Sequence, residues 1–410
     1  MTLAAHGILD LSELRASHAP LVGPKMARLG QLAAAGWRVP DGYAITAGAL
    51  DGWLPAAARA ELERLFTTAA ADDDGGHDAR LAEPARRLIE SQPLPAWLED
   101  AVADAHARLE RRAGRTASAG VTEAAGAAEV AGDVEAVGAA DQAAPLRVAV
   151  RSSAVGEDGQ TASFAGQYET YLGVSGVTEV LRHIRRCWAS GYSAHALAYR
   201  RRFGGAGPLR AHDLAVGVLE LVDARSAGVA FTLDPVTGDR SRLVVEGNWG
   251  FGESVVSGHV SPDHWTVDRA TWRVLTERSG RKQSWATFSA EAGRVVLEPL
   301  PADLAARPCL SEQEVRYICQ RAAEIEAAEG MPQDVEWAIA RDLDFPDSVF
   351  FLQHRPETTW RADEATAEPD TAKPDAGKPD AAKPDPATSS QQAFDPVQYA
   401  LRNVFKVPGT

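Results

Sequence analysis

Apolar residues recur at two different periods along this chain, and the alternation between them predicts a mixed architecture. Helical spacing is present at Met26, Leu29, Leu32 and Ala33 ahead of Gly36, and again at Val177, Val180, Leu181, Ile184 and Trp188. A helix over 312–328 carries the most complete signals: Ser311 with Glu314 forms a capping box, and Val315, Ile318, Cys319, Ala322 and Ile325 line one face. Strand-like runs are Arg147–Val150, Ala215–Val222, Gly228–Leu233, Leu243–Glu246, Trp272–Thr276, Asp334–Ala340 and Val349–Arg355. Several of these follow one another with no helix between them, which predicts an α+β fold with antiparallel sheet rather than a doubly wound parallel one.

Two stretches interrupt this pattern. Residues 113–144 hold 18 Ala or Gly among 32 positions and no aromatic residue, so they offer little to anchor against a core and read as an exposed insertion. Residues 361–393 carry Pro-Asp steps at a five-residue period, after Glu368, Lys373, Lys378 and Lys383, the composition of an extended, charged linker. Beyond it, 394–410 is apolar and aromatic again, and Tyr399, Leu401, Val404 and Phe405 are expected to form a docking tail that seats on this protein or on another. The expected organisation is therefore a globular unit built from 1–112 and 145–360, interrupted by the insertion and followed by linker and tail.

The net charge of −15 and pI near 5.2 disfavour a general nucleic-acid or anionic-membrane surface, because a phosphate backbone needs a cationic footprint. A local cationic pocket is compatible with that total. Three cysteines, Cys187, Cys309 and Cys319, with no CxxC pair, indicate neither a disulfide framework nor a cysteine-rich zinc site. The opening MTLAAHGILDLSELR lacks a cationic lead followed by an apolar core, so a cytoplasmic location is expected.

The most informative local pattern lies in DVEWAIA and VFFLQHRP. Period-two geometry sends Asp334 and Glu336 to one face of their strand and Val335, Trp337 and Ile339 to the other, while Phe351, Gln353 and Arg355 share a face of the second strand. The short RDLDFPDS between them can close a hairpin; in a near-symmetric one Glu336 pairs with Gln353 and Asp334 with Arg355. Two acids and an amide can hold a hard divalent cation through oxygen, and an arginine beside them can meet a phosphate with two N–H groups. Seen in isolation, the hairpin is better read as a cross-strand ion pair on a solvated face.

A second cluster is VAVRSSAVGEDGQTASFAGQYETYLGV. An apolar strand ends in Arg151, Ser152 and Ser153, and Gly156, Gly159 and Gly166 let the main chain lie close to anionic oxygens. No GxxxxGK[ST] motif occurs, and Lys25 in GPKMARLG stands just ahead of a helix whose N-terminus favours an anion, though taken alone it is better read as a surface residue than as a ligand. The run from Gly228 to Trp265 is dense in turn residues at Asp234-Pro235, Thr237-Gly238 and Gly247 to Gly252, which suits a loop over a ligand or ordinary hairpin turns, and without the other clusters it reads as structural.

Taken in order, these clusters resemble the nucleotide-binding domain of the phosphoenolpyruvate synthase, pyruvate phosphate dikinase and rifamycin phosphotransferase superfamily, over roughly residues 20–360. GPKMARLGQLAAAGWRVPDGYAIT is similar to the opening segment, VAVRSSAVGED with SFAGQYETYL to the phosphate-gripping segment, FTLDPVTGD with NWGFGESVVSG to the middle one, and QDVEWAI with LQHRPETT to the closing one. The resemblance implies an ATP-grasp fold, two α+β subdomains clasping Mg-ATP. It implies that Lys25 and Arg151 contact phosphates, that Gly166 and Thr170 line the nucleotide site, and that Glu336 and Gln353 hold Mg2+ with Asp334 in support. Arg355 would steady the phosphoryl group in transfer. On this reading Arg355→Ala should abolish turnover while largely sparing the fold.

Three departures accompany the resemblance. Gly23-Pro24-Lys25-Met26 stands where the superfamily usually has GGKG; Leu219 stands where many members have a glutamine, leaving base recognition to main-chain groups; and 113–144 is extra. The swivelling domain with its phosphorylatable histidine has no counterpart, since no histidine follows His354. The resemblance therefore implies an ATP-binding subunit of a split enzyme that phosphorylates a histidine on a partner polypeptide, with AMP release, for pyruvate or a phenolic acceptor. An ATP-grasp ligase forming an acyl phosphate and a non-catalytic nucleotide-sensing module are the competing readings.

Overall fold

The computed structural model describes residues 7–70, 77–114, 145–155, 169–202, 214–256, 258, 260–357 and 360. Most of the insertion, all of the linker and all of the tail with Tyr399, Leu401, Val404 and Phe405 lie outside these residues, as does Gly166.

The first half of the chain comprises β1 (Ile8–Asp10), α1 (Ala19–Ala34), β2 (Gly42–Ile45), α2 (Ala47–Trp53), α3 (Ala56–Ala70), α4 (His77–Glu90), α5 (Ala96–Arg112), β3 (Arg147–Ala154), β4 (Thr170–Ser175), α6 (Val177–Ser190), α7 (Ala194–Arg202) and β5 (Leu214–Glu220). Its strands form one antiparallel sheet in the order β1-β2-β5-β3-β4. One face of that sheet packs Val148, Val150, Val216 and Val218 against helices, where Trp53 and Trp188 stack at 4.9 Å between ring centroids. Helix α6 matches the expected amphipathic pattern, with Val180, Ile184 and Trp188 buried.

The second half comprises β6 (Ala224–Phe231), β7 (Arg242–Trp249), α8 (Glu253–Val256), β8 (Asp263–Asp268), β9 (Val274–Arg278), β10 (Ser284–Ser289), β11 (Arg294–Pro299), α9 (Ala302–Ala305), α10 (Glu312–Glu329), β12 (Gln333–Ala340) and β13 (Val349–Pro356). Six strands form a second antiparallel sheet in the order β13-β12-β6-β7-β8-β9, and β10 and β11 pair separately. The α+β expectation holds. Helix α10 starts where the capping box predicts: the Glu314 N–H donates to Ser311 Oγ at 3.3 Å, and the Ser311 N–H donates to Glu314 Oε2 at 2.7 Å. It stops at Gly330, which takes the left-handed conformation at φ 71°.

The apolar stripe of α10 covers the Val335–Trp337–Ile339 face of β12. The Trp337 ring lies over two glycines on neighbouring strands: a Cβ at Gly228 or at Gly247 would sit 2.8 Å from the indole. One expected strand starts late. Trp272 is in the β8–β9 turn at φ 57°, because Asp268 Oδ1 accepts from the Thr271 N–H at 2.8 Å and hydroxyl at 2.6 Å and so closes a tight turn there. No helix among the described residues is long and apolar enough to cross a membrane.

All three thiols are buried: Cys187 in the first core, Cys309 and Cys319 in the second. Burial pushes Cys187 and Cys309 well above the ordinary thiol range and Cys319 up to about 12. A disulfide reagent such as DTNB at mildly alkaline pH is expected to titrate none of them in the native chain and all three in concentrated guanidinium. Rapid labelling of the native chain would show that one of the two cores is open.

Candidate functional site: a clasp between two sheets

In the hairpin of β12 and β13, Asp334 is opposite Arg355 and Glu336 opposite Gln353, as the sequence predicts. A bulge between Glu336 and Trp337, however, sets Phe351 opposite Trp337 and turns it into the core under α10, away from the face of Gln353 and Arg355 that it was expected to share. Arg355 Nε donates to Asp334 Oδ2 at 3.1 Å, and both side chains are nearly inaccessible, at 9% and 6% exposure. This is not a solvated face. The row continues across the sheet, since Glu336 is opposite Val229, Val229 opposite Glu246, and Glu246 opposite His264. Directly paired residues project to the same side, so Gln353, Glu336, Glu246 and His264 share one face, with Val229, Phe231 and Val244 as a small apolar platform on it. Glu246 is buried and approaches His264 Nδ1 at 3.3 Å. Sequence reasoning missed it; the available signal was a carboxylate inside the apolar strand LVVEGNW, next to a glycine-rich turn.

The first sheet supplies the opposing groups. Arg151 on β3 pairs with Thr170 on β4 and with Gly217 on β5. Its Nη2 donates to Gln353 Oε1, a contact between residues 202 positions apart that joins the two sheets. Arg151 Nε is buried and has no hydrogen-bond partner among the described residues, which fits an anionic ligand beside it. An amide oxygen carries two lone pairs, so the arginine N–H leaves Gln353 Oε1 able to meet a cation as well.

Helix α1 bridges the sheets. It packs on β3 and β5 at one end and along β13, the edge strand of the second sheet, where the Phe351 N–H donates to the Arg38 carbonyl at 2.8 Å just beyond the helix. The helical path breaks at Gly23, whose φ of 73° and ψ of 159° let the chain turn in ahead of Pro24 and Lys25. Gly23 presses on Ser153, two residues from Arg151 on the same strand face, and the Met26 N–H reaches Ser153 Oγ at 3.4 Å. Lys25, half-buried, thus starts from the main chain beside Arg151. Met26 fills the space above Gly217, where a Cβ would lie 2.3 Å from its sulfur.

The structure therefore brings Arg151, Gln353, Glu336, Asp334 and Arg355 into one assembly, with Thr170 in the ladder beside Arg151 and Lys25 at the adjacent helix start. Next to it, Leu172, Leu221, Val222, Ala227, Ala338 and Leu352 form an apolar cluster where the sheets meet. Phe288 of β10 closes this cluster, with the Arg147 guanidinium 4.2 Å from its ring centroid. Among the described residues no group of three or more His, Cys, Asp or Glu side chains is gathered that would hold a metal ion unaided. Asp334, Glu336 and Gln353 are oxygen donors of the kind that hold Mg2+ when substrate phosphates complete its shell. His354 does not join them: it is buried opposite Val335, on the other face of the hairpin, with Nδ1 3.0 Å from Gln333 Oε1. Burial, helped by the nearby Arg28 charge, pushes its pKa down to about 4.

A convergence of arginines, acids and an amide from segments so far apart can be matched as an ordered set. The model of the family described as "Pyruvate phosphate dikinase, AMP/ATP-binding domain" matches residues 19–376. The chain belongs to that family. Curated relatives of this pyruvate phosphate dikinase-type domain include a probable phosphoenolpyruvate synthase of Staphylothermus marinus, 34% identical over 86% of this chain and 41% of the relative. The phosphoenolpyruvate synthase of Aeropyrum pernix is 33% identical over 88% of this chain and 44% of that protein. A rifampicin phosphotransferase from Streptomyces is 33% identical over 86% and 36%. The chain thus spans less than half the length of these relatives, and the part it shares is the family's ATP-binding domain.

Proposed function

We propose that this chain is the ATP-binding part of a dikinase-like phosphotransferase, in which the two sheets clasp the nucleotide in the manner of an ATP-grasp fold. The observation that carries the proposal is the Arg151–Gln353 contact, which sets a phosphate-binding candidate of one sheet against the acid–amide–arginine hairpin of the other. Lys25 and Arg151 meet the phosphates, Thr170 lines the site, and Gly166 is proposed to line it as well. Glu336 and Gln353, supported by Asp334, hold Mg2+, which when bound neutralises phosphate charge. The adenine lies against the apolar cluster around Leu221 and Ala338. The N–H groups of Glu220 and Leu221 are taken by the carbonyls of Asp41 and Arg147, so a base would meet other main-chain groups of this crossover.

The chain's own work is positioning and charge stabilisation, with no covalent step on its residues. The acceptor histidine is proposed to be carried by a partner polypeptide. Its imidazole nitrogen bonds to the β-phosphorus of ATP, the bond from that phosphorus to the oxygen of the α-phosphate breaks, and AMP leaves with that oxygen. The terminal phosphate is then lost to water or to phosphate, and the remaining phosphoryl group passes to pyruvate or to a phenolic or other alcohol acceptor. Arg355, fixed by Asp334, stabilises the charge that spreads over the phosphoryl oxygens. The histidines that flank the site are engaged with Glu246 and Gln333, which supports an acceptor from outside.

Incubation of the chain with Mg-ATP and the histidine-bearing partner is expected to yield AMP, resolved by nucleotide chromatography. ADP as the sole product, with an intermediate that hydroxylamine traps, would replace this reading with acyl-phosphate ligase chemistry. Tight ATP binding with no product in the partner's presence would replace it with nucleotide sensing.

A further inference from the structure

Glu169 has no place in the nucleotide site described above, yet four elements meet on it. Its main-chain carbonyl accepts from the Ser152 N–H at 3.4 Å and from the Ser152 hydroxyl at 3.2 Å, and its own N–H donates to Ser190 Oγ at 3.5 Å. These bonds fix its backbone to β3, one residue from Arg151, and to the end of α6. The next residue, Thr170, is the ladder partner of Arg151. The side chain engages the helical layer: Arg86 Nη2 on α4 donates to Oε1 at 2.9 Å, and the Tyr171 hydroxyl donates to the other oxygen. Tyr171 is held in turn by the Arg186 guanidinium, 4.4 Å above its ring, and by the His183 ring, 4.8 Å away between centroids.

We propose that Glu169, with Arg86, is a positioning pair for the nucleotide phosphates, acting through the root of Arg151 and Thr170. The proposal rests on the reading of Arg151 as a phosphate ligand. The ion pair is too exposed, at 26% and 35% for its two side chains, to matter much for overall stability. Its effect is on geometry: a guanidinium that grips phosphate loses much of its benefit when its support lets it shift by about 1 Å. Charge explains why the partner is an arginine. A bare carboxylate opposite Ser152, next in the chain to Thr170, would repel the triphosphate, and the Arg86 guanidinium cancels that charge while leaving the anchor in place.

This account predicts an asymmetry that loss of a purely structural contact would not give. In Glu169→Gln the tie is loosened but no negative charge is exposed, so the Kd for Mg-ATP should rise about fivefold. In Arg86→Gln the tie is loosened and the carboxylate is bared, so the Kd should rise more than tenfold at low ionic strength, and the excess should shrink as salt is added. The charge-swapped double variant Arg86→Glu with Glu169→Arg should return to within about twofold of the parent chain. Calorimetric titration of the full chain with Mg-ATP reads all three, alongside Tm values expected to stay within about 2 °C. Single variants that bind like the parent, or a swap no better than its singles, would overturn the proposal. Amide exchange of the nucleotide-free chain separates this from the reading beneath it. Faster exchange at Thr170 and Tyr171 in Glu169→Gln supports the tie, and unchanged exchange sinks it even where Mg-ATP binds. Failure of the parent chain to bind Mg-ATP would instead sink the nucleotide reading.

Discussion

Arg355→Lys is expected to lower AMP-forming turnover by about a thousandfold while changing the affinity for Mg-ATP only a few-fold. A planar guanidinium that meets spreading phosphoryl charge with two parallel N–H groups is worth about 10³ or more in rate at such sites, and an ammonium supplies charge without that fork. The lysine variant is the informative one because of burial. Sequence alone suggests that Arg355→Ala spares the fold, but Arg355 is 9% exposed and donates to an equally buried Asp334. Removing one member of a buried ion pair costs about 3–5 kcal/mol, so the alanine variant should lose stability together with turnover and report on neither alone. Steady-state rates with the partner polypeptide, together with thermal melts of both variants, check this. A lysine variant working at more than about a tenth of the parent rate would remove Arg355 from the transfer step.

Gly23→Ala should have the second largest effect, and on binding rather than on chemistry. With φ at 73° and ψ at 159° the backbone occupies a region that is nearly glycine-only, which for alanine costs about 1–3 kcal/mol. The added methyl would also stand 2.3 Å from Ser153 Oγ and 2.5 Å from the Ser153 carbonyl oxygen. Neither is the free end of a flexible chain, so the start of α1 must lift from β3 and carry Lys25 away from Arg151. Mg-ATP affinity is expected to fall at least tenfold, measured by calorimetry. Gly36→Ala is the control. That glycine also has positive φ, 81°, but a methyl there meets nothing within 4 Å and the helix start is not involved. It should lower Tm modestly and leave affinity alone. Equal affinity in Gly23→Ala and the parent would disconnect α1 from the site.

The features legible in the sequence share one property, that their determinants are close together along the chain. The pairs Glu336–Gln353 and Asp334–Arg355 are readable in advance from two period-two patterns joined by a short loop, whereas the bulge beside them, which puts Phe351 opposite Trp337, is not. The start of α10 follows from a serine and a glutamate three residues apart, and its burial from one apolar stripe. Residue order also marks Lys25 and Arg151 as candidates. Where local chemistry outweighs hydrophobicity the reading slips, as at Trp272, whose apolar ring suggests strand while Asp268 and Thr271 close a turn.

What the three-dimensional structure alone decided is which of those distant pieces meet. The strand order β1-β2-β5-β3-β4 sets β3 inside the first sheet, and α1 spans from it to the edge of the second. Nothing in the periodicity of either segment encodes that Arg151 reaches Gln353, that Glu246 lies in the row of Glu336, or that Arg86 answers Glu169. Periodicity reports which face of an element is buried, because burial is a property of one element against any apolar surface. Partnership between charged groups depends on the relative placement of whole sheets, which arises only when all the buried faces are satisfied together.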